Sequence, residues 1–224
     1  AVIGAGPYGL LYATELAKSG VHVQVFEEHR DVGLPEHCAG LISTETLCSL
    51  RAQETVLSEV RGALIYPPSL GKPLVVDAGR KVAVVVDRQA LDKLLADRLF
   101  SAGGTLVNSA RVSEVLRGPG EMFLRVGTRT TKSSIVALAT GACKSLPYTL
   151  GFERVRGVLP ALQADVCGLP HDSQMVEVYL SNRLFPGLFA WLVPRGGVAR
   201  VGVVGRNALL KLRYLVRKLA RLRG

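Results

Sequence analysis

Three glycines spaced G-x-G-x-x-G, Gly4, Gly6 and Gly9, open the chain, with Pro7 and Tyr8 filling the last two variable places. Glycines at these positions permit a tight turn, a close approach of the main chain to a diphosphate, and close packing of a helix on a strand. Glu27 follows eighteen residues after Gly9, with Glu28 beside it. An acid at that distance meets a ribose hydroxyl, and it disfavours a 2′-phosphate because two negative groups would collide. The chemistry implied is the grip on FAD or NAD.

Those residues need a strand, a turn, a helix and a second strand to hold them. Val2 and Ile3 predict the end of a buried strand. Leu10, Ala13, Leu16 and Ala17 recur at helical spacing up to about Ser19, where Gly20 is a helix stop. Val21, Val23, Val25 and Phe26 predict the second strand, which delivers Glu27 at its end. A helix beginning at the glycines also presents free N–H groups and a positive dipole end to phosphate.

Farther along, residues 43–60 predict a helix capped by Ser43 or Thr44, with Leu47, Leu50 and Val56-Leu57 on its apolar side. Gly62 to Tyr66, Leu74 to Val76 and Val82 to Val86 predict strands of a second sheet facing the cofactor. Asp87 is the expected cap of a helix from Arg88 to about Ser101, stopped by Gly103-Gly104. Thr105 to Val107 predict a third parallel strand. Residues 111–117 and 122–128 predict a hairpin around Gly118-Pro119-Gly120, and residues 135–139 a last buried strand. From Phe152 to Val204 short apolar runs alternate with turns, which predicts an antiparallel sheet, and Val176 to Leu180 alternate as a sheet with one buried face should. Residues 208–223 predict one amphipathic helix, its leucine face meeting either the protein's own core or a membrane surface.

Several segments together resemble the geranylgeranyl reductase family of flavoproteins, within the larger group that includes p-hydroxybenzoate hydroxylase. Arg30 to Leu41, RDVGLPEHCAGL, is similar to that family's segment after the second strand. Val86 to Asp92 resembles the group's arginine motif, and Phe185 to Pro194, FPGLFAWLVP, its P-x-x-Y-x-W-x-F-P block, with Phe189 and Val193 replacing the tyrosine and the second aromatic. The resemblance selects FAD as cofactor. It implies that Cys38, Ala39 and Gly40 lie against the flavin, with Cys38 shaping the substrate side, and that Arg88 and the Arg111-Val112 strand stand near the adenosine. Gly141, in a Thr-Gly-Ala turn where the hydroxylases have Asp-Gly, implies an approach to the ribityl chain. Tyr66, Tyr179, Phe185, Phe189, Trp191 and Leu192 are the implied apolar wall for an isoprenoid chain.

The fold class expected is α/β: a Rossmann-like FAD-binding domain with a parallel sheet plus an antiparallel-sheet substrate domain. The expected division is 1–60 with 84–145, 61–83 with 146–205, and a basic helix over 206–224. The implied activity is reduction of C=C bonds in a prenyl-lipid substrate by hydride from reduced flavin, fed by NADPH, ferredoxin or another reductant. The alternatives are an aromatic hydroxylase or quinone-linked dehydrogenase of the same fold, disfavoured by Thr140, and a partial, silent flavin-binding or membrane-docking module. The second Gly-Asp FAD contact of the family is not found, so a partial chain is expected.

The 224 residues suffice for one large or two small domains. No secretory signal and no apolar run of about 18 residues is read, which predicts a cytoplasmic protein, peripheral at most at the inner face of the membrane. The net charge of +10 owes much to seven Lys and Arg in the last nineteen positions. Basic and aromatic residues do not interleave, which argues against nucleic acid. No metal site is expected from the Cys and His spacings. Cys48, Cys143 and Cys167 are expected as small buried hydrophobes, and His22, His29, His37 and His171 are given no role.

Overall fold

The computed structural model describes residues 1–142, 145–153 and 156–224; Cys143 lies outside them. In chain order the elements are β1 (Val2–Ile3), α1 (Pro7–Lys18), β2 (Gln24–Phe26), β3 (Leu41–Ser43), α2 (Thr44–Leu50), β4 (Val56–Val60), β5 (Gly62–Tyr66), β6 (Leu74–Asp77), β7 (Ala83–Val86) and α3 (Arg88–Ser101). There follow β8 (Thr105–Val107), β9 (Val112–Arg117), β10 (Met122–Val126), β11 (Arg129–Ser133), β12 (Ala137–Leu138), α4 (Ser145–Thr149), β13 (Ala161–Val166), β14 (Met175–Leu180), β15 (Phe189–Arg195), β16 (Val198–Val204) and α5 (Ala208–Arg223).

Two compact units result, Ala1–His37 with Arg88–Arg156, and Cys38–Asp87 with Gly157–Gly224. The first holds a parallel sheet ordered β12-β1-β2-β8 and the antiparallel meander β9-β10-β11. Helix α1 starts at Gly6 with proline at its first position, where the missing N–H costs nothing. Its buried residues Gly9, Leu10, Ala13 and Thr14 are one helical face. Leu91, Leu95 and Leu99 of α3 recur every four residues and are likewise buried. The last parallel strand is shorter than its apolar run predicts. Only Ala137 and Leu138 pair with β1, and Ile135 is 73% exposed.

The second unit holds a three-stranded antiparallel sheet, β3-β7-β4, and a six-stranded sheet, β13-β16-β15-β14-β5-β6, whose β14–β5 pair alone is parallel. The expected helix over 43–60 is corrected here. Ser43 caps α2 through its hydroxyl, but Arg51 takes a left-handed conformation that ends the helix, and 56–60 become a strand bonded to β7. Val60 and Val85 then pack with Val193 of β15. That packing assigns residues 38–60 and 84–87 to the second unit, whereas the sequence placed them with the dinucleotide domain. The strands expected in one second sheet are divided as well: β5 and β6 join the large sheet, and β7 the small one.

Helix α5 belongs to the second unit too. Leu212, Leu215 and Leu219 are buried against Leu192, Val201 and Val203 of the large sheet. Leu212, Leu215 and Leu219 are therefore occupied by the protein's own core, while Leu209, Leu210 and Leu222 remain exposed. Among the described residues no helix is long and apolar enough to cross a membrane.

Candidate functional site

In the first unit the structure shows the tight turn at Gly4 and the close helix–strand packing at Gly9 that the spacing predicts. Gly4 has φ +106°, and a Cβ there would lie 2.4 Å from the Ala139 carbonyl oxygen. A Cβ at Gly9 would lie 2.0 Å from the Gly4 carbonyl oxygen, so only glycine lets α1 approach β1 this closely. At Gly6 a Cβ would meet nothing within 4 Å. No side chain caps α1 at Gly6, so the N–H groups of its first turn are left to an outside acceptor. An open main-chain cradle at an uncapped helix start fits the diphosphate of a dinucleotide. Tyr8 stands 87% exposed beside it.

Glu27 is 9% exposed and braces this turn. One carboxylate oxygen, Oε2, accepts the Ala5 N–H at 2.8 Å, and Oε1 accepts the His29 N–H at 3.0 Å and lies 2.6 Å from His29 Nδ1. His29, given no role from sequence, is thus a partner of the key acid. A carboxylate has about four lone-pair sites, so ribose hydroxyls can be added to these bonds. Arg88 donates through Nη2 to both oxygens of Asp92, at 3.0 and 3.2 Å. Burial raises the Asp92 pKa, and the Arg88 guanidinium offsets part of that rise. Arg111 and Glu28 form a surface pair at 3.6 Å, while Val112 is buried in the core. Gly141 is exposed with φ +55°, in the turn that follows β12 beside β1.

In the second unit the residues expected as one substrate wall are sorted onto opposite faces of the large sheet. Trp191 faces Gly202 and Val178 in register, and Gly202 faces Gln163. On this face Trp191 and Ala39, the neighbour of Cys38, both pack against the Val60, Val85 and Val193 cluster. Phe189 lies edge-on to Trp191, with ring centroids 6.3 Å apart. Tyr66 and Tyr179 are opposite one another in register on the other face, stacked at 5.1 Å in the layer under α5. Tyr179 is 1% exposed and donates to Glu177. The expected wall is corrected accordingly. Phe189 and Trp191 share a face with the Cys38 segment, and Tyr66, Tyr179, Phe185 and Leu192 belong to the core layer on the α5 side.

Trp191 lies flat on Gly202, where a Cβ would fall 2.1 Å from Cζ2 and 2.7 Å from Nε1. Because Trp191 is the only tryptophan, intrinsic fluorescence reports this place alone. Gly202→Ala should displace the indole, shift its emission and cost about 1–3 kcal/mol of stability by overpacking, read by chemical unfolding.

Sequence reasoning missed Gln163, Asp165, Arg200 and Gly202. The available signal was Arg200 inside the apolar run 198–204, since a charge in a buried strand needs a partner. That partner is Asp165, with oxygens 2.7 and 2.9 Å from Arg200 Nε and Nη2. These hydrogen bonds hold the Asp165 carboxyl below its ordinary value of 3.8. The pairing is thus complete above that value and is lost as pH falls through the lowered one. Cys48 and Cys167 are exposed rather than buried as expected. Among the described residues no group of His, Cys, Asp and Glu could hold a metal ion.

Comparison with known proteins agrees with this geometry. Residues 2–48 match the model of the NAD(P)-binding Rossmann-like domain. The chain is similar to the digeranylgeranylglycerophospholipid reductase of Methanocaldococcus jannaschii, 26% identical across 96% of this chain and 57% of that protein. It therefore spans a little over half the length of that relative. The crystal structure of a geranylgeranyl bacteriochlorophyll reductase-like protein from Thermoplasma acidophilum superposes with a TM-score of 0.86 at 24% identity, covering 99% of this chain and 60% of that one. A halogenase crystallised with FAD superposes at 0.75 with 14% identity, covering 97% of this chain and 55% of that one. The resemblance to geranylgeranyl reductases and the mixed α/β fold with a Rossmann-like domain are borne out.

Proposed function

We propose that this chain is the FAD-binding and substrate-face portion of an oxidoreductase that reduces C=C bonds of a geranylgeranyl or related isoprenoid lipid. The observation that carries the reading is that, within one unit, the Cys38-Ala39-Gly40 segment is bound to the sheet face that carries Phe189 and Trp191, through Arg200 and Gln163 on the Cys38 carbonyl and through Ala39 on the Val60, Val85 and Val193 cluster. The open glycine cradle of the other unit supports the cofactor. Bound FAD, reduced by NADPH, ferredoxin or another reductant, would supply a hydride to one carbon of the double bond, the other carbon taking a proton that comes from solvent. The chain's own residues bind and orient. Main-chain N–H groups around Gly4, Gly6 and Gly9 hold the diphosphate, Glu27 takes the adenosine ribose, and Arg88 and the Arg111-Val112 strand stand on the adenosine side. Gly141 lets the main chain approach the ribityl chain. Cys38, Phe189 and Trp191 give the lipid an apolar surface.

The whole protein is tested by incubating it anaerobically with reduced FAD and geranylgeranylated lipid. Mass spectrometry should find two added hydrogens for each double bond lost; unchanged lipid with fully reduced FAD present would sink the reading. Glu27→Ala should weaken FAD by about 1–3 kcal/mol in calorimetric titration, because it removes an acceptor from both Ala5 and the ribose.

The lipid substrate also argues for contact with a membrane surface, which falls to the outward side of α5. There Arg206, Arg213, Arg217 and Arg221 are exposed along with Leu209, Leu210 and Leu222, and residues 206–224 contain no acid. Each basic residue near an anionic surface contributes about 1 kcal/mol. Co-sedimentation with phosphatidylglycerol vesicles should fall with salt and with Arg213→Glu/Arg217→Glu; equal binding to neutral vesicles would refute it.

A further inference from the structure

We propose that Arg200 and Gln163 are positioning residues, a two-point clamp from the large sheet that holds the Cys38–Gly40 segment, and with it the Cys38 thiol, in one conformation. The Cys38 carbonyl oxygen accepts from Arg200 Nη1 at 3.0 Å and from Gln163 Nε2 at 3.2 Å. Arg200 is 5% exposed and is itself aimed by its two bonds to Asp165. Gln163 and Arg200 arrive on neighbouring strands, β13 and β16, in the rows that also contain Trp191 and Val193. The far end of the segment is tied as firmly. Gly40 O accepts the Val86 N–H at 2.9 Å, and with φ +85° Gly40 lies so close to Val86 that a Cβ would be 2.4 Å from its carbonyl oxygen. Between these anchors the Gly40 N–H points at Cys38 Sγ, 3.4 Å away.

A charge is costly to bury, and a main-chain carbonyl in a loop is adequately served by water. Placing a buried guanidinium on this carbonyl removes the freedom that a glycine-containing loop would otherwise retain. The clamp thereby sets where the thiol stands relative to Trp191, because the adjoining Ala39 and Trp191 pack against the same Val60, Val85 and Val193 cluster.

The inference rests on Cys38 being the flavin-side residue of the proposed function, and the experiment separates the two. Iodoacetamide labelling of the whole folded protein is followed peptide by peptide, with exposed Cys48 as internal reference. Loss of a charge-assisted bond should release the segment, so Arg200→Met should raise the Cys38-to-Cys48 rate ratio about tenfold. Gln163→Leu should raise it less, and each should shift Trp191 emission. A purely stabilising role would raise both rates together or lower the melting temperature with the ratio unchanged, and either result overturns the clamp. If Arg200→Met does not fold, Gln163→Leu decides alone, and an unchanged ratio there refutes the proposal. If the ratio shifts while Cys38→Ser leaves the bound-flavin spectrum and turnover unaltered, the clamp stands and the flavin-side role of Cys38 falls.

Discussion

Arg223→Ala should cost about 3–5 kcal/mol of stability, the usual result of leaving one partner of a buried ion pair alone. Glu177 sits on β14 with 1% of its surface exposed, on the sheet face whose core includes Leu192, Val201, Val203, Tyr179 and the α5 leucines. Arg223, from the last turn of α5, donates to Glu177 Oε1 at 3.0 Å, to Tyr179 Oη at 3.1 Å and to the Pro170 carbonyl at 2.9 Å. Burial, then the Glu177 charge, raises the Tyr179 pKa, so the phenol stays protonated and donates to the carboxylate. Burial, the largest single influence, disfavours charge on Arg223, but the bond to Glu177 and the electrostatic attraction of Tyr179, Glu177 and Tyr66 together outweigh it and raise its pKa. Without the guanidinium a carboxylate is left in the core with one neutral donor. Domains of this size have about 5–15 kcal/mol in total, so the loss is a large share. Urea unfolding followed by Trp191 fluorescence measures it. Glu177→Gln/Arg223→Met should recover most of the loss, and an unchanged midpoint for Arg223→Ala would show that the pair does not neutralise this interior.

Gly9→Ala and Gly6→Ala should separate folding from cofactor binding at the same turn. The Gly9 methyl would enter within 2.0 Å of the Gly4 carbonyl oxygen and 3.1 Å of Ala139 Cβ, both set by the sheet. Helix α1 must then retreat from β1, at a cost near the upper end of overpacking, about 3 kcal/mol, and its N-terminus is carried off the diphosphate position. Both the melting temperature and FAD affinity should fall, the latter by about a hundredfold if the same energy is lost on binding. The Gly6 methyl meets no protein atom within 4 Å. Gly6→Ala should therefore melt like the parent while FAD titrates weakly or not at all, because the methyl occupies the space left for phosphate. Wild-type FAD affinity in Gly6→Ala would mean that the diphosphate does not lie over this turn.

What the sequence determined by itself was local and periodic. The glycine spacing, the Leu91-Leu95-Leu99 repeat and the leucine stripe of α5 each report a neighbour only a few residues away, and α1, α3 and α5 stand where those patterns predict. The adjacency of β1 and β2 follows from the same logic, since β1, α1 and β2 form a single crossover unit, whereas the places of β8 and β12 at the two edges came from the fold. Pairing between distant segments was decided only in three dimensions. Residues 56–60 carry apolar side chains compatible with a helix, but β7 lies alongside and takes their main-chain bonds, so they extend. Tyr66 and Tyr179 read like Phe189 and Trp191 as aromatics in strands, yet strand side chains alternate faces, and a register of Tyr179 against Ala190 sends the two pairs to opposite sides. Arg200, Asp165, Gln163 and the Cys38 carbonyl are separated by as many as 162 residues and meet only because β13 and β16 pair in that register. A long-range contact leaves no period in the chain. What it leaves is an oddity, such as a charge in an apolar strand, whose partner only the folded sheet can supply.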